Sequence, residues 1–251
     1  MNNLDRLIEI LCAERGETVP ALSDLQKPDY FRALCNVRPP KPVSAEFLAL
    51  QDEYLSDAIK KRGIVETEKL RFDNGIALYR GDITALDADA IVNAANSAML
   101  GCFTPLHKCI DNAIHSAAGV QVRLDCNDIM QGGCAKTGEA IVTKAYNLPS
   151  KFIFHVAGPI VCGTLTHKNR DDLKKCYVSR LNQAESRALN SIAFCCVSTG
   201  IYGYPKEQAA ALAVETVRAE LSRAKNALKA IFCVYTDKDY EIYSELLGKN
   251  E

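Results

Sequence analysis

The sequence predicts an α/β protein, with a mixed or mostly parallel sheet covered by helices on both faces and a helical extension at the N-terminus. Two observations carry this. From about residue 64 onward, apolar runs of strand length alternate with helical stretches, the pattern of a sheet whose faces are both packed. Before that point apolar residues recur only at helical spacing. The chain has 251 residues, 48% apolar and 24% charged, which suits one domain with an extension or two small ones.

In chain order, Leu4, Leu7, Ile8, Leu11 and Cys12 lie at helical spacing, and the pattern resumes from Ser23 to Val37. Pro39-Pro40-Lys41-Pro42 breaks it and acts as a spacer. An amphipathic stretch from Phe47 to Lys61 ends before Gly63. We place the boundary so that residues 1–66 form the extension and 67–251 the α/β module. The expected strands are Ile76–Tyr79, Ala90–Asn93, Ala140–Thr143, Phe152–His155, Ile192–Val197 and Ala230–Val234. The expected helices are Pro105–Ala118, Arg170–Leu189 and Lys206–Leu221. Open sheets of this kind bind ligands beyond the carboxyl ends of their strands, so the loops that follow strands are where function is sought.

Net charge is −1 and the pI is near 6.4. Such a chain sets up no global field for nucleic acid, and neither a nucleic-acid nor a membrane partner is expected. No apolar run approaches the roughly 18 residues of a membrane span. The first residues, MNNLDRLIEILCAERGE, have no basic n-region and their apolar positions are interrupted by acids. A cytoplasmic location is expected, with most of the 11 cysteines reduced. Cys195 and Cys196, inside an apolar run, read as small core residues.

Three strand-end segments describe one ligand. Gly81-Asp82-Ile83-Thr84 follows the first strand. Asp82, next to Ile83, can accept a hydrogen bond from an exocyclic amine such as that of adenine, or can merely close a Gly-Asp turn. Asn93-Ala94-Ala95-Asn96 ends the second strand; the two amides, with small residues between, suit sugar hydroxyls. In Ser198-Thr199-Gly200-Ile201-Tyr202-Gly203, just before the helix from Lys206, successive N–H groups and the helix N-terminus can cradle phosphate. The segment lacks the Gly-Lys-Ser/Thr end of an ATP-hydrolysing loop. Adenine, diphosphate and a far ribose together describe a ligand like ADP-ribose.

The segments GDIT, IVNAAN, IDNAIHSAAG, GCAKTGEAIVTKAYNLPSKFIFHVAGP and STGIYGYP resemble, in order and spacing, the motifs of the macrodomain family over about residues 70–240. That resemblance implies a three-layer α/β/α fold with a mixed central sheet and ADP-ribose as ligand or product. It also implies removal of mono-ADP-ribose from acidic side chains of modified proteins. Residues matching Asn96, Asp111 and His115 lie in the catalytic region of hydrolytic members. Asp111 and His115 stand at i and i+4 on one helix face, and His115 can equally be a histidine packed on the sheet. His155 resembles the family's histidine before Gly-Pro and reads as structural.

One departure stands out. Where hydrolytic members usually carry a run of glycines, this chain has a longer segment with Cys102, His107 and Cys109. Two thiols and an imidazole are zinc ligands, and a catalytic zinc keeps three protein ligands with a fourth position open. The segment resembles the zinc-containing macrodomain subfamily, whose members reverse ADP-ribosylation; Zn2+ is the cofactor so implied. A closed site completed by another thiol such as Cys134, or thiols that are only core, are the other readings. The expected function is a zinc-dependent protein-ADP-ribose hydrolase. The alternatives are a non-catalytic ADP-ribose reader and an O-acetyl-ADP-ribose deacetylase.

Overall fold

A computed structural model describes residues 2–224 and 226–248. Six strands form one sheet: β1 (Ile76–Arg80), β2 (Ala90–Ala95), β3 (Ala140–Lys144), β4 (Phe152–Ala157), β5 (Ser191–Phe194) and β6 (Lys229–Val234). Their order is β1-β6-β5-β2-β4-β3, and every pairing is parallel except β3 with β4. The sheet is therefore mixed. Its central strands are mostly buried, with Ile91, Val92, Ile153, Phe154, Ile192, Ala193, Ile231 and Phe232 at 0–1% exposure, as expected when both faces are covered.

Three helices precede the sheet: α1 (Asn3–Glu14), α2 (Lys27–Val37) and α3 (Ala45–Arg62). Within and after it come α4 (Ile110–Ala118), α5 (Val120–Met130), α6 (His167–Ser186), α7 (Lys206–Leu221) and α8 (Asp237–Leu247). Helices α4 and α5 pack on β2 and β3, and α4 also meets α2 and α3. Helices α6, α7 and α8 pack on one another and on β4, β5, β6 and β1. The result is three layers, helix on sheet on helix. None of the helices is long and apolar enough to cross a membrane, among the described residues.

The first three helices bury a cluster of their own around Leu7, Ile8, Leu11, Phe31, Leu34, Phe47 and Leu55, which reaches α5 through Val120. Polar contacts cross the same seam. The Gln51 amide donates to Gln121 Oε1 (2.7 Å) and accepts from the Val120 N–H (2.9 Å).

Four differences from the sequence reading have local causes. Helix α4 starts at Ile110, not Pro105, because Leu106 has φ +53°; residues on its N-terminal side cannot continue a right-handed helix. Helix α6 starts earlier than expected, where Thr166 and Asn169 form a capping box. Strand β5 ends at Phe194, so Cys195 and Cys196 lie past it, although Cys195 is buried as expected. Helices α5 and α8 are missing from the reading. The sequence of α5 mixes polar and apolar residues on all sides, and α8 is mostly polar. All 11 cysteines are free.

Candidate active site

Strands β1, β6, β5 and β2 are mutually parallel, so their carboxyl ends share one edge. The chain leaves β2 toward α4 on one face and leaves β5 toward α7 on the other. A crevice opens where neighbouring strands send their connections to opposite faces. There lies a cleft of about 1350 Å³. It is bordered by Asp82 and Ile83, by Asn96, by the segment Ser198–Tyr202, and by Cys102, His107, Cys109 and Asp111.

At the β1 end, Asp82 caps a short 3-10 turn: its Oδ1 accepts from Thr84 N (2.9 Å) and Thr84 Oγ1 (2.7 Å). Its Oδ2 accepts from the Arg62 guanidinium (2.7 Å), which arrives from the last turn of α3. Ile83 is buried beside it.

In the middle, Ser198 has φ +66°, a left-handed conformation rare outside glycine, and its buried Oγ has no hydrogen-bond partner among the described residues. A Cβ on Gly158 would stand 2.1 Å from that oxygen, so only glycine lets the loop after β4 lie against the loop after β5. The turn closes with Gly203 N–H donating to Gly200 O (3.0 Å) and Tyr204 N–H donating to Ser198 O (3.0 Å). The N–H groups of Gly200, Ile201 and Tyr202 have no partner among the described residues. With α7 starting at Lys206, this is an anion cradle.

At the β2 end, Asp111 is 5% exposed on α4. Its Oδ1 accepts from Asn93 Nδ2 (2.8 Å) and its Oδ2 from Asn96 Nδ2 (3.4 Å). Burial pushes its carboxyl up to about 6, against the Asn93 hydrogen bond that lowers it. The sequence reading offers Asn93 to a sugar alongside Asn96. The structure puts the Asn93 amide behind Asp111, fully buried, where Nδ2 also donates to His155 Nδ1 (3.1 Å). His155 Nε2 then donates to Thr143 Oγ1 (3.0 Å); this neutral tautomer follows from the network. Burial lowers the His155 imidazole to about 3. His155 is thus a satisfied core residue, as read from the sequence.

His115 is also buried, with Nε2 3.5 Å from Asp111 Oδ1 and neither ring nitrogen hydrogen-bonded among the described residues. Burial first, and the neighbouring His155 second, hold it well below the usual histidine range. It is neutral and faces both Asp111 and the sheet.

Cys102, His107 and Cys109 meet at the outer end. Their ligand atoms all lie within 4.8 Å of one another, and Cys102 Sγ is 3.5 Å from His107 Nδ1. With Zn–S near 2.3 Å and Zn–N near 2.1 Å, a tetrahedral edge between the two is about 3.5 Å, so the donors fit the ion. No fourth His, Cys, Asp or Glu joins this group among the described residues; Cys134 stands apart. All three side chains are half-buried and open to the cleft, an arrangement suited to an exchangeable fourth position.

The macro domain family model matches residues 92–213. A protein of Staphylococcus aureus (strain MRSA252) named protein-ADP-ribose hydrolase is 47% identical over 227 residues, covering 88% of this chain and 85% of its own. One of Treponema medium with the same name is 45% identical over 253 residues, covering 96% and 97%. The chain belongs to the macrodomain family. Among solved structures, the Trypanosoma brucei macrodomain in complex with ADP-ribose superposes with a TM-score of 0.68 at 32% identity, over 91% of this macrodomain and 97% of that chain.

The macrodomain's cleft also contains residues that sequence reasoning missed. Tyr235, 80% exposed, borders the cleft directly after β6; the strand-end rule applied to β6 would have found it. Arg32 and Arg62 reach the cleft from the N-terminal helices, and no sequence signal ties those helices to the site.

Proposed function

We propose that this macrodomain is a zinc-dependent hydrolase that releases mono-ADP-ribose from Asp- or Glu-linked protein substrates in the cytoplasm. In it, residues 1–66 form a helical extension and residues 67–251 the catalytic module. The observation that carries the reading is one continuous cleft with a buried carboxylate, Asp111, and a Cys-His-Cys cluster at one end, an N–H cradle in the middle and Asp82 at the other end. The names of the similar proteins from Staphylococcus aureus and Treponema medium support it.

In this reading the open N–H groups of Gly200, Ile201 and Tyr202 bind the diphosphate and hold the far ribose in place, so that binding energy remote from the reacting bond supplies orientation. Asp82 accepts from the adenine amine, its Oδ2 exchanging the Arg62 contact for the base. Asn96, whose Nδ2 donates to the Gly101 carbonyl (3.0 Å) and to Asp111 Oδ2 (3.4 Å), exchanges the longer of these bonds for a ribose hydroxyl. Asp111, aligned by the Asn93 amide and backed by neutral His115, orients a water and takes its proton. Cys102, His107 and Cys109 would hold the zinc, which when bound supplies Lewis-acid polarisation of an oxygen ligand. The products are ADP-ribose and the unmodified side chain.

The test is release of ADP-ribose from a mono-ADP-ribosylated protein, with zinc quantified before and after chelation. Near-stoichiometric zinc is expected, with activity lost on chelation and restored by zinc. In parallel, Cys102→Ala is expected to abolish turnover while ADP-ribose binding by calorimetry largely persists. Tight ADP-ribose binding with neither metal nor release identifies a reader instead.

A further inference from the structure

The segment Leu100–Cys109 carries all three members of the Cys-His-Cys cluster and has no regular secondary structure. Its own backbone supplies little to hold it. Among the described residues, the hydrogen bond within it is His107 N–H to Thr104 O (3.3 Å), and Leu106 sits at φ +53°. The segment is fixed from outside.

Two of its anchors come from α2. The Leu106 N–H donates to Asn36 Oδ1 (3.0 Å), and Arg32 Nη2 donates to the His107 carbonyl (3.4 Å). Arg32 also donates to Asn112 Oδ1 through Nη2 (2.7 Å) and Nε (3.2 Å). That leaves Asn112 Nδ2 aimed at the Thr104 carbonyl (3.0 Å). Asn36 is itself pinned, its Nδ2 donating to Ser116 Oγ on α4 (3.0 Å). Both Asn36 and Asn112 are buried, at 2% and 0% exposure. So one helix of the extension holds the backbone on either side of His107, the ligand that must be brought to two cysteines.

We propose that the N-terminal extension is a positioning device for the metal loop, with Arg32 and Asn36 as positioning residues that preassemble Cys102, His107 and Cys109. This rests on the zinc reading given above. Neither residue is among the three ligands, so their effect on the metal is indirect. Backbone restraint of a ligand-bearing loop removes the ordering cost that metal binding otherwise meets. Partners behind the ligands typically change metal affinity by 10–100-fold.

The experiment uses the full chain, stripped of metal, with zinc affinity measured by competition against a chromophoric chelator and cobalt(II) as a spectroscopic probe. Arg32→Ala and Asn36→Ala are expected to bind zinc about 10–100-fold more weakly. They are also expected to shift or broaden the visible cobalt bands, with ADP-ribose affinity unchanged in Asn36→Ala, whose side chain does not line the cleft. Asn36→Asp keeps the oxygen that receives the Leu106 N–H and is expected to recover most of the zinc affinity. Arg32 is only half-buried, so its variant is expected to fold even where Asn36→Ala does not. Wild-type protein that takes up no zinc overturns the metal reading and this proposal with it. Zinc bound by wild type and by both variants with equal affinity and identical cobalt spectra overturns the positioning role alone.

Discussion

Asp111, His115 and His155 form a stack of titratable groups that α4 and β4 hold out of water, joined by the Asn93 amide. Their burial has a sign that proton linkage reveals. His155 is neutral in the fold down to about pH 3, whereas a free histidine takes its proton near 6.5. As pH falls below 6.5 the unfolded chain binds that proton first, so stability is lost, at about 1.4 kcal/mol per pH unit for one such group. Above 6.5 there is no contribution. His115 acts in the same direction. Asp111, raised to about 6, opposes them below that pH because its folded form binds the proton first. Denaturant unfolding of His155→Gln between pH 6.5 and 4.5 should therefore give a flatter pH profile than wild type, since glutamine can keep the bonds to Asn93 and Thr143. An unchanged slope would contradict the neutral buried imidazole. Much at this scale was legible beforehand: a histidine inside an apolar strand reads as structural, and Cys102, His107 and Cys109 within eight residues read as a cluster. The inward turn of Asn93 was not legible, because side-chain direction at a strand end depends on the pleat and on what α4 places opposite.

At the scale of elements, the site is a meeting of loops hung from parallel strands. The contact of Gly158 with Ser198 joins the loops after β4 and β5. Adding one methyl there forces the Ser198 hydroxyl and the Val197 side chain to move, and overpacking of this kind costs about 1–3 kcal/mol. Because Ser198 opens the N–H cradle, the cost should fall on the ligand. Calorimetric titration of Gly158→Ala is expected to show roughly ten- to hundredfold weaker ADP-ribose binding, with the fold retained. Unaltered affinity would mean the cradle does not contact the diphosphate. Strand positions were readable from apolar runs bounded by turns, and helix α7 from its spacing. The late start of α4 was not, since the reach of Asn36 to the Leu106 N–H joins residues 70 positions apart, beyond any local window.

Across the whole molecule, the extension and the sheet module share a seam that is both apolar and polar. Phe47 is fully buried in the cluster that reaches Val120. Arg123 on α5 donates to the carbonyls of Cys35 and Arg38, and to that of Leu100 in the metal loop. An arginine so placed joins the two parts through three backbone carbonyls, so they are expected to unfold together. Phe47→Ala is expected to cost about 3–5 kcal/mol and to lower a single calorimetric transition without splitting it. Two separate peaks would show that the extension unfolds on its own. The sequence could announce a helical extension and an α/β module, but not the contacts that join them, because the tie runs through a buried guanidinium and backbone carbonyls that carry no compositional mark.

The cradle follows β5 and the helix that bears Asp111 follows its neighbour β2; the register pairs of the two strands are Ala90 with Ile192 and Ile91 with Ala193. Those two strands work like the jaws of a caliper, carrying the cradle loop on one side and the helix with the carboxylate on the other. A molecule that grips one jaw only, such as a bare nucleotide diphosphate, forgoes the other. On the proposed reading, a ligand that reaches both jaws is held at two points, and the spacing of those points rests on the pairing of two β-strands.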